Sequence, residues 1–178
     1  MLQKSTMQTL LEFFAREPTR EHYLKDISRR TKIAHTSIAK NLEKLRKEDL
    51  IEKRVDKKGS RNYPIYVAKQ NDAFRFQKKM INIMQLQESG LLAHIKDNYT
   101  PAAIVVFGSY GRGEDTEDSD IDIYIRAAPR KTDLRKYERM LGRKIQLHEN
   151  AEFGRYPEEL RNNILNGVIL YGYLEVFQ

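Results

Sequence analysis

The sequence contains no cysteine, which excludes a disulfide framework and a thiolate zinc site and fits a reducing cytoplasm. It also lacks any run approaching the roughly eighteen apolar residues of a membrane span. The first apolar segment, residues 7–14, is interrupted by polar side chains too early for a secretory signal. A cytoplasmic chain with no membrane partner is therefore expected. Its 178 residues suffice for one ordinary domain or two small ones.

Charge is abundant and unevenly spread. The formal net charge is +7. Residues 1–70 carry 17 Lys and Arg against 9 Asp and Glu, a surplus of eight, whereas residues 71–178 carry 15 against 16. A basic module joined to a near-neutral one points to a polyanion-binding domain attached to something else.

In the basic part, Met7, Leu10, Leu11 and Phe14 recur at i, i+3, i+4 and i+7, predicting an amphipathic helix that ends before Pro18. A second helix is expected over residues 23–30, with Leu24 and Ile27 inward. A third is expected over residues 35–48, with Ile38, Leu42 and Leu45 inward. The outer face of the third carries Thr36, Ser37, Lys40, Asn41 and Lys44. This is the order of a helix-turn-helix, whose second helix enters the major groove of duplex DNA. Two strands, residues 51–55 and 63–67, then flank a basic, glycine-containing loop and predict a hairpin. Three helices and a basic hairpin resemble a winged helix. That resemblance places Lys57, Lys58 and Arg61 near phosphate, while Thr36, Ser37 and Asn41 are candidates for base edges and Lys40 and Lys44 for phosphates. Residues 1–70 are thus read as a winged-helix DNA-binding domain.

Residues 71–98 read as a connecting helix with a wide apolar face, interrupted near Gly90. That face needs cover, from the second domain or from another copy of the chain in a homodimer.

The most informative stretch follows. Residues 103–107, Ala-Ile-Val-Val-Phe, form a short apolar run typical of a buried strand, and Gly108-Ser109 ends it. Gly108, Gly111 and Gly113 permit close backbone approach, so amides there are free to face a phosphate. Ile121, Ile123 and Ile125 then alternate with Asp120, Asp122 and Tyr124. A strand puts both carboxylates on one face about 6.6 Å apart, where they can share hard cations that bind nucleotide phosphates. A calcium loop starting at Asp118 is excluded, because it needs Gly and Glu where Ile123 and Pro129 stand; a Walker A loop is excluded because no Gly-Lys-Ser/Thr follows the turn.

Gly-Ser, ten residues, then Asp-x-Asp resembles the signature of the minimal nucleotidyltransferases of the DNA polymerase β-like superfamily. The resemblance covers residues 99–178, read as the catalytic domain. It implies an α+β chain, an N-terminal winged helix-turn-helix followed by a small nucleotidyltransferase domain with a mixed sheet. It assigns Gly108 and Ser109 to the triphosphate, Arg112 and Gly113 to the nucleotide, and Asp120 and Asp122 to Mg²⁺ or Mn²⁺. It also implies ATP or another NTP as substrate, transfer of NMP to a hydroxyl of a partner macromolecule, and an antitoxin role against a HEPN-type toxin protein. One departure stands out: the family's third carboxylate falls at Gln146, a neutral amide that cannot act as a base. His148 shares the face of Gln146, and Glu149 points the other way. The departure leaves a second reading, a catalytically impaired regulator or antitoxin that binds DNA.

Around these residues, a helix over 132–141, a strand over 144–148, a helix opening at Pro157 and ending at Gly167, and closing strands over 168–171 and 173–177 complete the expected order.

Overall fold

A computed structural model describes residues 4–175. The chain divides into two compact units, Met1–Lys78 and Lys79–Gln178.

In the first unit, α1 (Thr6–Arg16) starts at Ser5, whose hydroxyl accepts from the Gln8 amide at 3.1 Å. Such a cap stabilises a helix by about 1 kcal/mol. A two-residue strand, β1 (His22–Tyr23), precedes α2 (Leu24–Thr31), and α3 (His35–Lys47) follows. Strands β2 (Ile51–Lys58) and β3 (Arg61–Ala68) form an antiparallel hairpin, and β1 adds to β3 to give the order β1-β3-β2. Leu10, Phe14, Ile27, Ile38, Leu42, Leu45 and Ile51 are fully buried together, which is why the 3.6-residue period of the three helices converges on one core.

One expectation needs correction here, and one short strand was not anticipated. The hairpin is longer than its apolar pattern indicates: Asp56, Lys57, Lys58, Arg61 and Asn62 lie in the paired strands, and only Gly59 and Ser60 form the turn. Residues 53–55 and 57–64 are exposed, so this part of the ribbon has no core face to impose alternation. β1 has no sequence signature at two residues, because its pairing of His22 with Tyr66 and Tyr23 with Ile65 is set by β3.

α4 (Asp72–Glu88) runs through the boundary between units. The interruption expected near Gly90 is there: Gly90, at φ +80°, separates α4 from α5 (Leu91–Tyr99).

The second unit is a four-stranded mixed sheet of order β6-β5-β4-β7. β4 (Ala103–Phe107) is antiparallel to β5 (Ile121–Ile125) and β7 (Val168–Gly172), while β5 and β6 (Ile145–Glu149) run parallel. The parallel pair requires a crossover, which α7 (Arg135–Leu141) supplies. One sheet face presents Ile104, Val106, Ile121, Ile123 and Ile125 to Leu91, Leu92 and Ile95 of α5 and Tyr137 and Leu141 of α7. The other face presents Val105, Phe107 and Tyr124 to Phe153 and to Ile164 of α8 (Glu158–Leu165). Both faces are covered, so β4 is apolar along its whole length. α7 begins three residues later than expected, at Arg135, and no strand follows β7 over residues 173–175; the rest of that expected strand lies outside the described residues. Among the described residues, no helix is long and apolar enough to cross a membrane.

Candidate active site

The turn after β4 is the short helix α6 (Gly108–Arg112) rather than an open glycine loop. Its position follows from pairing. Phe107, the last residue of β4, lies opposite Asp122 of β5, so Gly108 begins the turn directly beside that carboxylate. Gly108 has φ +68°, and a Cβ there would stand 2.6 Å from Asp122 Oδ2. Only glycine both adopts that backbone and leaves room for the carboxylate.

Asp120 and Asp122 project from the start of β5, both half-buried. The parallel register sets Gln146 opposite Asp122 and His148 opposite Tyr124. Gln146 donates its side-chain amide to Asp120 Oδ2 at 2.5 Å, and His148 Nε2 lies 3.3 Å from Asp122 Oδ1. The His148 ring also packs edge-on against Phe107, with centroids 5.0 Å apart. Gly108, Asp120, Asp122, Gln146 and His148 are therefore one cluster built by three strands. Glu149 is directed elsewhere and accepts from the Arg130 amide at 3.2 Å.

Arg112 and Gly113 stand at the end of α6. The Arg112 Nε donates to Glu114 at 2.7 Å, and the Gly113 amide is spent on the carbonyls of Ser109 and Tyr110. Ser109 is half-buried, and its carbonyl also accepts from the Glu114 amide at 2.9 Å.

Among the described residues, no group of three or more His, Asp and Glu side chains is arranged to hold a metal ion. Two carboxylates nevertheless match the way Mg²⁺ is commonly held, by one or two carboxylates with substrate phosphates and water completing the shell. The absent Cβ of Gly108 lets the Asp122 carboxylate lie directly against the turn where the phosphates of a nucleotide would be held.

The basic residues of the first unit are arranged less uniformly. Thr36, Lys40 and Lys44 are exposed along α3, whereas Ser37 and Asn41 are half-buried and the Asn41 amide donates to the Ser37 carbonyl at 2.8 Å. Lys57 and Arg61 are exposed on the hairpin. Lys58 is engaged within the unit: its Nζ lies 4.7 Å over the Tyr23 ring and 3.4 Å from Asp56.

Sequence reasoning missed a polar cluster behind the acidic loop. Asp115 and Arg143 form a buried ion pair at 2.8 Å, and Asn82 of α4 donates to Asp115 Oδ1 at 2.8 Å and to the Tyr110 carbonyl at 3.0 Å. Its members stand far apart in sequence, so no local period announces them.

The family model described as "Nucleotidyltransferase domain" matches residues 89–171. Two proteins of Methanocaldococcus jannaschii, each described as a "Putative protein adenylyltransferase", are similar over short stretches. One is 58% identical over 31 residues, 17% of this chain and 31% of the relative; the other is 55% identical over 31 residues, 17% of this chain and 36% of the relative. The match thus spans about a third of either relative's length. A solved structure described as a "Possible transcriptional regulator" from Methanosarcina mazei Go1 aligns with 54% of this chain and 79% of its own at 16% identity and a TM-score of 0.39. Residues 89–171, just under half of the chain, are thus similar to a nucleotidyltransferase domain.

Proposed function

We propose that this chain is a DNA-binding nucleotidyltransferase that transfers AMP from ATP to a hydroxyl of a partner macromolecule, with a HEPN-type toxin protein as the candidate acceptor and an antitoxin role for the chain. The observation that carries the reading is the seating of Asp122 against Gly108, with Asp120 two residues away at the same strand end. A bound divalent cation would neutralise triphosphate charge between these carboxylates. Gly108 and Ser109 bind the triphosphate, Arg112 turns from Glu114 to phosphate, and Gly113 allows the backbone to pass close by. The acceptor oxygen attacks the α-phosphorus as the bond to the β-phosphate breaks, and pyrophosphate leaves. Positioning and charge neutralisation supply most of the rate in such reactions. The acceptor's proton passes to solvent, because Gln146 is no base.

The first unit supports a winged-helix reading: three helices, a hairpin and exposed Lys40, Lys44, Lys57 and Arg61. Duplex DNA is the proposed ligand, held by phosphate contacts. A second reading, an impaired enzyme that serves as a DNA-bound regulator, is favoured by one observation alone: the neutral Gln146 amide occupies the Asp120 carboxylate. Incubating the chain and the proteins encoded beside it with ATP and Mg²⁺, and weighing each by mass spectrometry, separates the two. An added nucleotide on a partner supports the enzyme; its absence under saturating ATP and metal supports the regulator.

A further inference from the structure

The loop that delivers Asp120 is built from like charges. Glu114, Asp115, Glu117, Asp118, Asp120 and Asp122 place six carboxylates within nine residues. Left to itself, such a segment repels itself and opens. Here it is closed from beneath. The Arg143 side chain, 7% exposed, directs Nη2 to Asp115, whose side chain is fully buried, at 2.8 Å. Its Nη1 donates to the Thr116 carbonyl and, at 3.3 Å, to the Ser119 carbonyl. The Ser119 carbonyl belongs to the peptide that joins Ser119 to Asp120, so the guanidinium orients the unit on which the Asp120 side chain is mounted. Two further bonds close the same loop. Thr116 donates its amide to the Ser119 hydroxyl at 2.9 Å, and Ile121 donates to the Lys144 carbonyl, next to Arg143, at 2.8 Å. Asn82 then fixes Asp115 from the other side.

A buried ion pair is poor value as a source of stability, since desolvation offsets much of its attraction and apolar residues pack there as well. Its worth lies in geometry. A guanidinium carries five donors in a rigid fork and can serve a carboxylate and two carbonyls at once, which an ammonium on a flexible stem cannot do. Asp115 also cancels the guanidinium charge, so that no net positive charge opposes a cation at Asp120 and Asp122.

We infer that Arg143, with Asp115 as its counter-ion, is a positioning residue that holds the Thr116–Ser119 carbonyls and thereby sets Asp120 for the cation; this rests on the metal-dependent nucleotidyl transfer proposed above. Supporting residues behind metal ligands typically change metal affinity about 10- to 100-fold when removed.

The test uses the full chain and Mn²⁺ as the probe. Mn²⁺ affinity is read by electron paramagnetic resonance for wild type, Asp115→Asn/Arg143→Gln, Arg143→Lys and Asp120→Asn/Asp122→Asn, with amide exchange measured by mass spectrometry on the same samples. The double variant at 115 and 143 removes both charges together, so neither is left buried alone. Arg143→Lys keeps the charge but loses the fork, and serves if the double variant does not fold. Both are expected to bind Mn²⁺ about 10- to 100-fold more weakly and to exchange faster over residues 116–121, while β4 stays protected. Unchanged exchange over 116–121 overturns the inference. So does faster exchange with Mn²⁺ affinity equal to wild type. If wild type binds Mn²⁺ no better than Asp120→Asn/Asp122→Asn, the proposed function fails instead, and the exchange of residues 116–121 still decides whether Arg143 holds the loop.

Discussion

Gln146 donates its side-chain amide to the Asp120 carboxylate across the parallel pair of β5 and β6, at 2.5 Å. A carboxylate in its place would meet Asp120 with like charge, and only a cation between them would relieve the repulsion. Gln146→Asp is therefore expected to lower the melting temperature in EDTA and to recover it in Mg²⁺. It is also expected to raise AMP transfer to the true acceptor, by about 10²-fold or more, the range of a positioned base. His148→Ala, which removes a 3.3 Å contact to Asp122, is expected to change the rate by less than about tenfold. Kinetics with labelled ATP check both; a fall in rate for Gln146→Asp with loss of activity in His148→Ala would mean that His148 is the base.

Gly108 and Gly142 make a controlled pair. Both have positive φ, +68° and +69°, but a Cβ at Gly142 meets nothing within 4 Å, whereas one at Gly108 meets Asp122. Left-handed backbone costs a non-glycine residue roughly 1–2 kcal/mol. Both alanine variants are expected to lose about that much stability, and only Gly108→Ala to lose metal-dependent ATP binding as well. Thermal unfolding and ATP titration with and without Mg²⁺ separate the shared cost from the local one.

Acid should weaken the first unit. The Arg30 guanidinium, bonded to Glu17 at 2.6 and 2.9 Å, holds that carboxyl below its ordinary value against an opposing effect of burial. Burial pushes the His22 imidazole down, against the attraction of Glu17. Both groups have folded values below their unfolded ones. Each therefore contributes stability that is present above its unfolded pKa, about 6.5 for His and 4.3 for Glu, and that is lost as pH falls through the folded value. Stability is expected to fall in two stages below about pH 6.5. Arg30→Gln is expected to cost about 1 kcal/mol at pH 7, solvent screening the pair, and to flatten the lower stage. Urea unfolding across this pH range, followed through amide exchange of α1 and α2, measures it.

DNA affinity should fall steeply with salt. Each phosphate contact contributes about 0.9 to the log–log slope, so Lys40→Ala and Lys44→Ala are each expected to reduce it by about one in the full chain. Lys58→Ala is expected to reduce it less, because its ammonium already sits over Tyr23 and beside Asp56. Fluorescence anisotropy on duplex DNA between low and moderate salt reads the slopes.

The two central strands of the second unit were legible because each carries a local signal: a continuous apolar run in β4, and strict Asp-Ile alternation at the half-buried start of β5. The strand β6 was legible from Ile145 and Leu147, but its parallel pairing with β5 was not, and the place of Gln146 was implied by the family resemblance alone. The hairpin's far half was not, since exposed Lys57, Arg61 and Tyr63 give no alternation to follow. Nor was the engagement of Arg112 with Glu114, two residues apart in a turn. Arg143 follows the helix-ending Gly142 and reads as an ordinary polar loop residue. Its meaning lies in Asp115, 28 positions earlier, which the crossover of α7 brings beneath the same strand end.

The most direct test of nucleotidyl transfer at Asp120 and Asp122 uses ATP labelled at the α- or the γ-phosphate. Each is incubated with Mg²⁺, the full chain and the proteins encoded beside it. Label from α-labelled ATP alone is expected to become covalently attached to a partner macromolecule, and to disappear with Asp120→Asn/Asp122→Asn. No attachment at saturating ATP, attachment from the γ-label, or attachment that survives the double substitution would contradict it.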